Sequence, residues 1–326
     1  MEPSIVELPY YSSPDESEPL EMTIPADCAG LRVDQALAQL FPLFSRGHWQ
    51  GQIEGGWVMV GGQPTRQKNR VWGGETLWLA QEPVLHDETV KPQNIPLSIV
   101  AEDEALLVIN KPAGLVVHPG HGHREGTLQN GLLYYDARLA QVPRSGIVHR
   151  LDKDTSGLMV VARTPTAHAD LVRQLQERTV HRHYWALVHG IPPDQGEVAV
   201  PLGRHPQQRT RMAVVAGGRP ALTHFTVVRR WAGYALLECR LSTGRTHQIR
   251  VHLQHLGFPL AGDPVYGVRS MADEGAREVL RCFGRQALHA FYLGLRHPMT
   301  QQPCSWSIDM AADMVKLVNW LDQERA

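Results

Sequence analysis

The stretch Ser145-Gly146-Ile147-Val148-His149-Arg150-Leu151-Asp152-Lys153-Asp154-Thr155-Ser156-Gly157-Leu158-Met159-Val160-Val161-Ala162-Arg163 decides how this chain folds. Two short apolar runs, Ile147-Val148 and Leu158 to Ala162, flank a polar hinge, and runs of this length bounded by turn residues read as buried strands. Asp154, Thr155, Ser156 and Gly157 are turn chemistry: side chains that bond nearby backbone, then a residue free to take positive φ. His149, Arg150, Asp152 and Lys153 are thereby placed at a strand edge with core on both sides. That is a rigid mount for a carboxylate beside solvent. Asp154, within the turn itself, reads as a turn-former.

Downstream, Thr166 to Thr179 is an amphipathic helix with Ala167, Leu171 and Leu175 in steps of four. His183 to Val188 is rich in β-formers, and Ala221 to Trp231 and Tyr234 to Leu241 are two further strands around Ala232-Gly233. Ser242-Thr243-Gly244-Arg245-Thr246 leads into a helix carrying Ile249, Leu253 and Leu256. Thr246 is its expected N-cap, with Arg245 beside the helix N-terminus, where the dipole favours an anion. Leu288 to Leu295 and Trp306 to Ile308 add strands, and Met310 to Asp322 a terminal helix. Upstream, Leu97 to Val100, Leu106 to Ile109 and Leu115 to Val117 read as strands, before a short helix from Thr127 to Tyr135. Hairpin-joined strands with occasional helices predict an α+β fold with a mostly antiparallel mixed sheet over 97–326.

A smaller unit precedes it over 22–82. Val33, Leu37, Leu40 and Phe41 share one face of a short helix, a second helix begins at Ser45-Arg46, and short strands follow around Trp57 to Val60 and Leu77 to Leu79. Residues 83–96, with Pro83, Pro92 and Pro96, have linker composition. Residues 1–21 hold six acids and no Lys or Arg, and read as a disordered acidic tail. Without those six acids the net charge of −1 becomes +5, modestly basic and compatible with RNA. Gly203 to Arg211 carries Arg204, Arg209 and Arg211 on a loop that suits phosphates.

No run approaches the roughly eighteen apolar residues of a membrane span, so no membrane contact is expected. The four cysteines are scattered without a Cys-x-x-Cys pair, and no apolar leader opens the chain, so it reads as cytoplasmic. His247, His252 and His255 do not repeat a metal pair and lack carboxylates at ligand spacing, so no metal is expected.

The small unit resembles the S4 RNA-binding domain on Gly30-Leu31-Arg32-Val33-Asp34, Leu37-Ala38, Ser45-Arg46, Gly56, Val58, Val60 and Gly74-Glu75. Val33 in place of Leu, Gly61-Gly62 in place of Asn-Gly, and Gly47-His48 after Ser45-Arg46 depart from the pattern. The resemblance makes Arg32, Ser45 and Arg46 RNA-binding residues. The larger unit resembles the RluA family of pseudouridine synthases. The resemblance rests on His149 to Leu158, His183-Tyr184-Trp185-Ala186, Leu241 to His252, Asn110 to Pro119, Gly262 to Gly267 and Arg285 to Ala290.

That second resemblance implies a cofactor-free isomerase. It would cut the N-glycosidic bond of a uridine, turn the detached ring and rejoin it through carbon, using one aimed, ionised carboxylate as nucleophile. The resemblance carries this role to Asp152. It carries the paired arginine to Arg245, with Arg250 the alternative further along the helix; an opposite charge favours the ionised acid. Tyr184 would stack on the target ring and assist loss of the C5 proton. Arg150 would fill the space left by a nucleotide flipped out of its helix, and Lys111 and Arg250 would contact RNA. The implied partner of a monomer is large-subunit rRNA, free or in an assembly intermediate, with tRNA the alternative. Two other readings stand beside this one. A non-catalytic RNA-binding assembly factor would tolerate Asp152→Asn, and a metal-dependent hydrolase built from the histidines would be sensitive to chelators.

Overall fold

The computed structural model describes residues 20–41, 44, 46–80, 90–119, 125–208, 211–268 and 273–325. Apart from Leu20 and Glu21, the expected tail lies outside these residues. The chain divides into two compact units, Met1–His86 and Asp87–Ala326.

The first unit contains β1 (Leu20–Thr23), α1 (Val33–Leu40), α2 (Arg46–Glu54), β2 (Val58–Val60), β3 (Gln63–Pro64) and β4 (Thr76–Leu79). Its antiparallel sheet runs β1-β4-β2-β3. Val33, Ala36 and Leu37 of α1 and Trp49 and Ile53 of α2 are buried with Val58, Leu77 and Leu79. Each such large side chain contributes about 1.5–3 kcal/mol on burial. The tail reading fails at its last two residues, where Leu20 pairs with Leu79 and Glu21 with Trp78. Leu20 and Met22 pack on the core and so draw the segment into the sheet.

The second unit opens with β5 (Ile99–Glu102), β6 (Leu106–Lys111), α3 (Leu128–Tyr135), β7 (Ser156–Ala162), α4 (Pro165–Glu177), β8 (His181–His189) and β9 (Gln195–Val198). There follow β10 (Leu202–Arg204), β11 (Met212–Val214), β12 (Thr223–Trp231), β13 (Tyr234–Leu241), α5 (Gln248–His255), α6 (Glu274–Phe283), β14 (Leu288–Arg296), β15 (Pro303–Ser307) and α7 (Ala312–Glu324). Among the described residues nine strands form one sheet, ordered β5-β6-β7-β14-β8-β13-β12-β9 with β15 added to β14. Every pair is antiparallel except β7 with β14. The unit is α+β with a large mixed sheet.

The junction of β7 and β14 shapes the site. β7 is buried along its whole length, which is why its sequence is a continuous apolar run. It pairs with β14 only through Ser156↔His289 and Gly157↔Ala290. Gly157 has φ 119°, and a Cβ there would lie 2.2 Å from the Ala290 carbonyl oxygen, so only glycine lets the two backbones meet. Ile147 makes a single bridge to Val161 instead of a strand, because β14 holds the start of that β7 edge. Leu115 to Val117 likewise gives only the bridge Val116↔Thr127. Residues 90–96, expected as linker, belong to the second unit. Val90 is buried, and the Asn130 side chain donates to the Lys91 carbonyl at 2.8 Å. Just before the hinge, Arg144, Ser145 and Gly146 have φ of 52°, 51° and 81°. Non-glycine residues held there cost on the order of 1–2 kcal/mol each.

Candidate active site

Residues 147–152, the start of β8 and the turn into α5 line a cavity of about 340 Å³, a volume typical of small-ligand sites. Buried donors pin the hinge that carries Asp152. Lys111 Nζ donates to the carbonyls of Pro112, Leu115 and Lys153 at 2.7, 2.9 and 2.9 Å. Arg285 Nη1 donates to the Asp154 carbonyl at 3.1 Å, and Gln286 Nε2 to Thr155 Oγ1 at 3.0 Å. The Thr155 N–H donates to the Asp152 carbonyl at 3.1 Å and closes the turn. Lys111 was expected on RNA, but it is 1% exposed and fully engaged by carbonyls. Burial pushes its amine down to about 7, against the pull of Asp154 and Asp152.

Asp152 Oδ2 accepts from Arg250 Nη1 at 3.0 Å. The other edge of the same guanidinium grips Asp263, Nε to Oδ2 at 2.7 Å and Nη2 to Oδ1 at 3.0 Å. Arg250 is 5% exposed, Asp263 0% and Asp152 17%, so the outer acid alone reaches solvent. Burial would raise the Asp263 carboxyl, but bonds from Arg250 and from the Tyr266 and Val265 N–H groups hold it below the usual carboxylate range.

Arg245, the first choice for the ion pair, sits elsewhere on the cavity wall and donates through Nε to the Pro220 carbonyl at 3.2 Å. The reason is where the helix starts. α5 begins at Gln248, its N-cap is His247 in the left-handed region at φ 55°, and no side chain caps it. Thr246 is therefore not the cap. Arg250 lies on the buried first turn, and Arg245 precedes the helix.

The rest of the Thr243 to His252 run staples this turn. Gln248 Oε1 accepts from Thr243 Oγ1 at 2.7 Å and the Arg245 N–H at 3.0 Å, while its Nε2 donates to the Leu222 carbonyl and Thr223 Oγ1 at 3.0 and 2.9 Å. His252 bridges Thr223 Oγ1 and the Val200 carbonyl at 2.9 and 3.1 Å. The Tyr266 hydroxyl accepts from the Met212 N–H at 2.8 Å, leaving its own hydrogen for His247 Nδ1, also at 2.8 Å. His247 Nε2 then faces Asp152 Oδ1 at 3.9 Å. Burial pushes this imidazole down despite Asp152.

Tyr184, from β8, is buried in the cavity wall. Burial raises its phenol, with Arg182 opposing and Asp152 adding. Arg150 is exposed at the cavity, its Nη1 3.5 Å from His118 Nε2. Arg204 and Arg211 flank a hairpin instead of an open loop: Arg204 is in register with Met212, and the His205 N–H donates to the Arg211 carbonyl at 2.9 Å. Ser45 and Arg209 lie outside the described residues.

In the first unit Arg32 Nε and Arg46 Nε lie 3.1 and 2.8 Å from the buried Asp34 carboxylate, which also accepts from Gln50 at 2.7 Å. Burial would raise Asp34, but Arg46 and Gln50 keep it below its ordinary range.

Sequence reasoning gave no role to Asp263, Tyr266, His247 or Arg182. The Gly262 to Gly267 stretch stood out only as part of the family resemblance, and a buried Arg250 needs a second counter-charge. Among the described residues no three His, Cys, Asp or Glu side chains are grouped to hold a metal, and no helix is long and apolar enough to cross a membrane.

Residues 105–255 match the family model described as RNA pseudouridylate synthase. The chain is 51% identical over 317 residues to ribosomal large subunit pseudouridine synthase D of Nitrosomonas europaea, covering 95% of this chain and 92% of that protein. It is 48% identical over 306 residues to the protein of the same name from Pseudomonas aeruginosa, covering 93% and 95%. The solved structure of human RNA pseudouridylate synthase domain containing 4 matches with a TM-score of 0.56 at 27% identity, covering 69% of this chain and 93% of that one. The chain belongs to the RNA pseudouridylate synthase family. It is an isomerase that makes pseudouridine in RNA.

Proposed function

We propose that the protein converts specific uridines of large-subunit (23S) ribosomal RNA to pseudouridine, with Asp152 as the nucleophile toward a flipped-out nucleotide. The observation that supports this most is the Asp263–Arg250–Asp152 chain, in which the outer acid alone faces the cavity. With Oδ2 held by Arg250, Oδ1 is the oxygen left to add to the ribose or the ring. The N1–C1′ bond breaks, the uracil turns, C5 bonds to C1′ and the bond to Oδ1 breaks, returning the free carboxylate. C5 then loses its proton and N1 gains one, so the composition is unchanged. Tyr184 supplies a flat face for the ring and assists removal of the C5 proton. Arg150 takes the place of the departed base, whose eversion costs a few kcal/mol.

The first unit, read as an S4-like RNA-binding domain, would contribute Arg32 and Arg46, whose side chains are 32% and 43% exposed, together with Ser45. Arg204, Arg209 and Arg211 would add phosphate contacts from the hairpin. The relatives' names favour rRNA over tRNA, met free or in an assembly intermediate by a cytoplasmic monomer. The test is to incubate purified protein, with chelator and no added cofactor, with 23S rRNA or tRNA transcripts and map the pseudouridines. Pseudouridine in the rRNA alone is expected. Modification of tRNA alone would overturn the substrate, and none in either would overturn the proposal.

A further inference from the structure

Among the described residues, one buried guanidinium in the cavity has no counter-charge. Arg182 lies on β8 two residues before Tyr184 and is only 9% exposed. It lines the same cavity as Asp152. No acid or hydrogen-bond acceptor among the described residues engages its side chain, and its Nε is buried and unpartnered. The buried Arg250 and Arg285, by contrast, are each matched to aspartates. A buried cation without an anion is costly, so its position implies one in the working complex.

A second unmet donor lines the cavity. His149 Nε2 accepts the Val160 N–H at 3.1 Å, so the ring hydrogen sits on Nδ1, which is buried and unpartnered. Burial and then the charge of Arg182 push this imidazole down to about 3, leaving a neutral donor beside a cation. Gly244 lies against the Arg182 guanidinium. A Cβ there would stand 2.7 Å from Arg182 Nη1 and would displace the guanidinium.

We propose that Arg182, with His149 Nδ1–H beside it, receives a phosphodiester oxygen flanking the target uridine. This rests on the reading that the cavity admits an everted uridine. Such a nucleotide brings neutral uracil carbonyls and charged phosphate oxygens, and an uncompensated guanidinium favours the charged acceptor.

The probe is a pair of RNA substrates bearing a neutral methylphosphonate at the linkage 5′ or 3′ to the target uridine. On one of the two, wild-type single-turnover kcat/KM should fall about 10- to 100-fold, the range of a charge-assisted hydrogen bond. Arg182→Met should lose as much on unmodified RNA and nothing further on that modified RNA, and Arg182→Lys should recover part of the loss. Equal wild-type rates on all three RNAs would overturn the assignment, as would additive losses in Arg182→Met. If Arg182→Met does not fold, the wild-type comparison decides alone. Turnover of unmodified RNA in the same assay separates failure of this assignment from failure of the uridine-isomerase reading.

Discussion

The two units each carry a buried three-member charge cluster, and the clusters are inverted copies of one idea. In the first, one fully buried acid, Asp34, holds two partly exposed arginines toward solvent. In the second, one buried arginine, Arg250, joins a fully buried acid to a partly exposed one. The first presents positive charge, suited to an RNA backbone, and the second presents a single carboxylate, suited to covalent chemistry. Rigidity comes in both from the member solvent does not reach. Breaking that member should therefore hurt binding in one unit and turnover in the other.

Among changes to the members that support the outer acid, the largest effect should follow Arg250→Met, which strands Asp263 as an unpaired buried charge. Loss of about 3–5 kcal/mol in denaturant unfolding and at least about 100-fold in single-turnover rate is expected, whereas Arg245→Met should cost less than a tenth of that rate loss. The reverse ranking of the two arginines would break the comparison. Asp263→Asn keeps the shape but removes one charge of the buried pair. It should slow turnover about 10-fold while RNA affinity, read by filter binding, stays the same.

Acid should separate the clusters as well. His149, His168 and His289 of the second unit are pushed by burial down to about 3, 4 and 4. The unfolded chain takes up protons near pH 6.5 that the fold excludes, so stability falls as pH drops below that value, by about 1.4 kcal/mol per histidine per pH unit. Asp34 acts in the same direction but in a lower pH window. Its folded value is depressed, so its contribution is full above the ordinary aspartate range and is lost only as pH falls through the lower value. Between pH 7 and 5, hydrogen exchange should loosen in the second unit and hold around Asp34. The smallest effect is expected from Asp34→Asn, which frees Arg32 and Arg46 and should weaken RNA binding about three- to tenfold at low salt, with the saturated rate unchanged.

Much of this was legible in the sequence because local patterning agreed with the fold. The apolar run of β7, the steps of four on α4 and the Asp154 to Gly157 turn depend on near neighbours. The clusters depend on distant ones. Arg250 and Asp263 meet across a helix and a turn, and choosing between Arg245 and Arg250 required the positive φ of His247, which no propensity signals. Lys111 misled for a related reason. Lysine is a surface residue by default, and one of the three carbonyl acceptors converging on it belongs to Lys153, 42 positions along the chain. Leu20 and Glu21 looked like tail because they end a stretch of Pro, Ser and acids without periodicity, yet their pairing edge lies at Trp78 and Leu79.

The most direct measurement is single-turnover pseudouridine formation by Asp152→Asn, paired with its RNA dissociation constant. The substitution keeps the shape and removes the charge of the proposed nucleophile, so a rate loss of about 10⁴-fold or more is expected, with affinity within about threefold of wild type. A rate within tenfold of wild type would contradict the assignment of Asp152 as the reacting group.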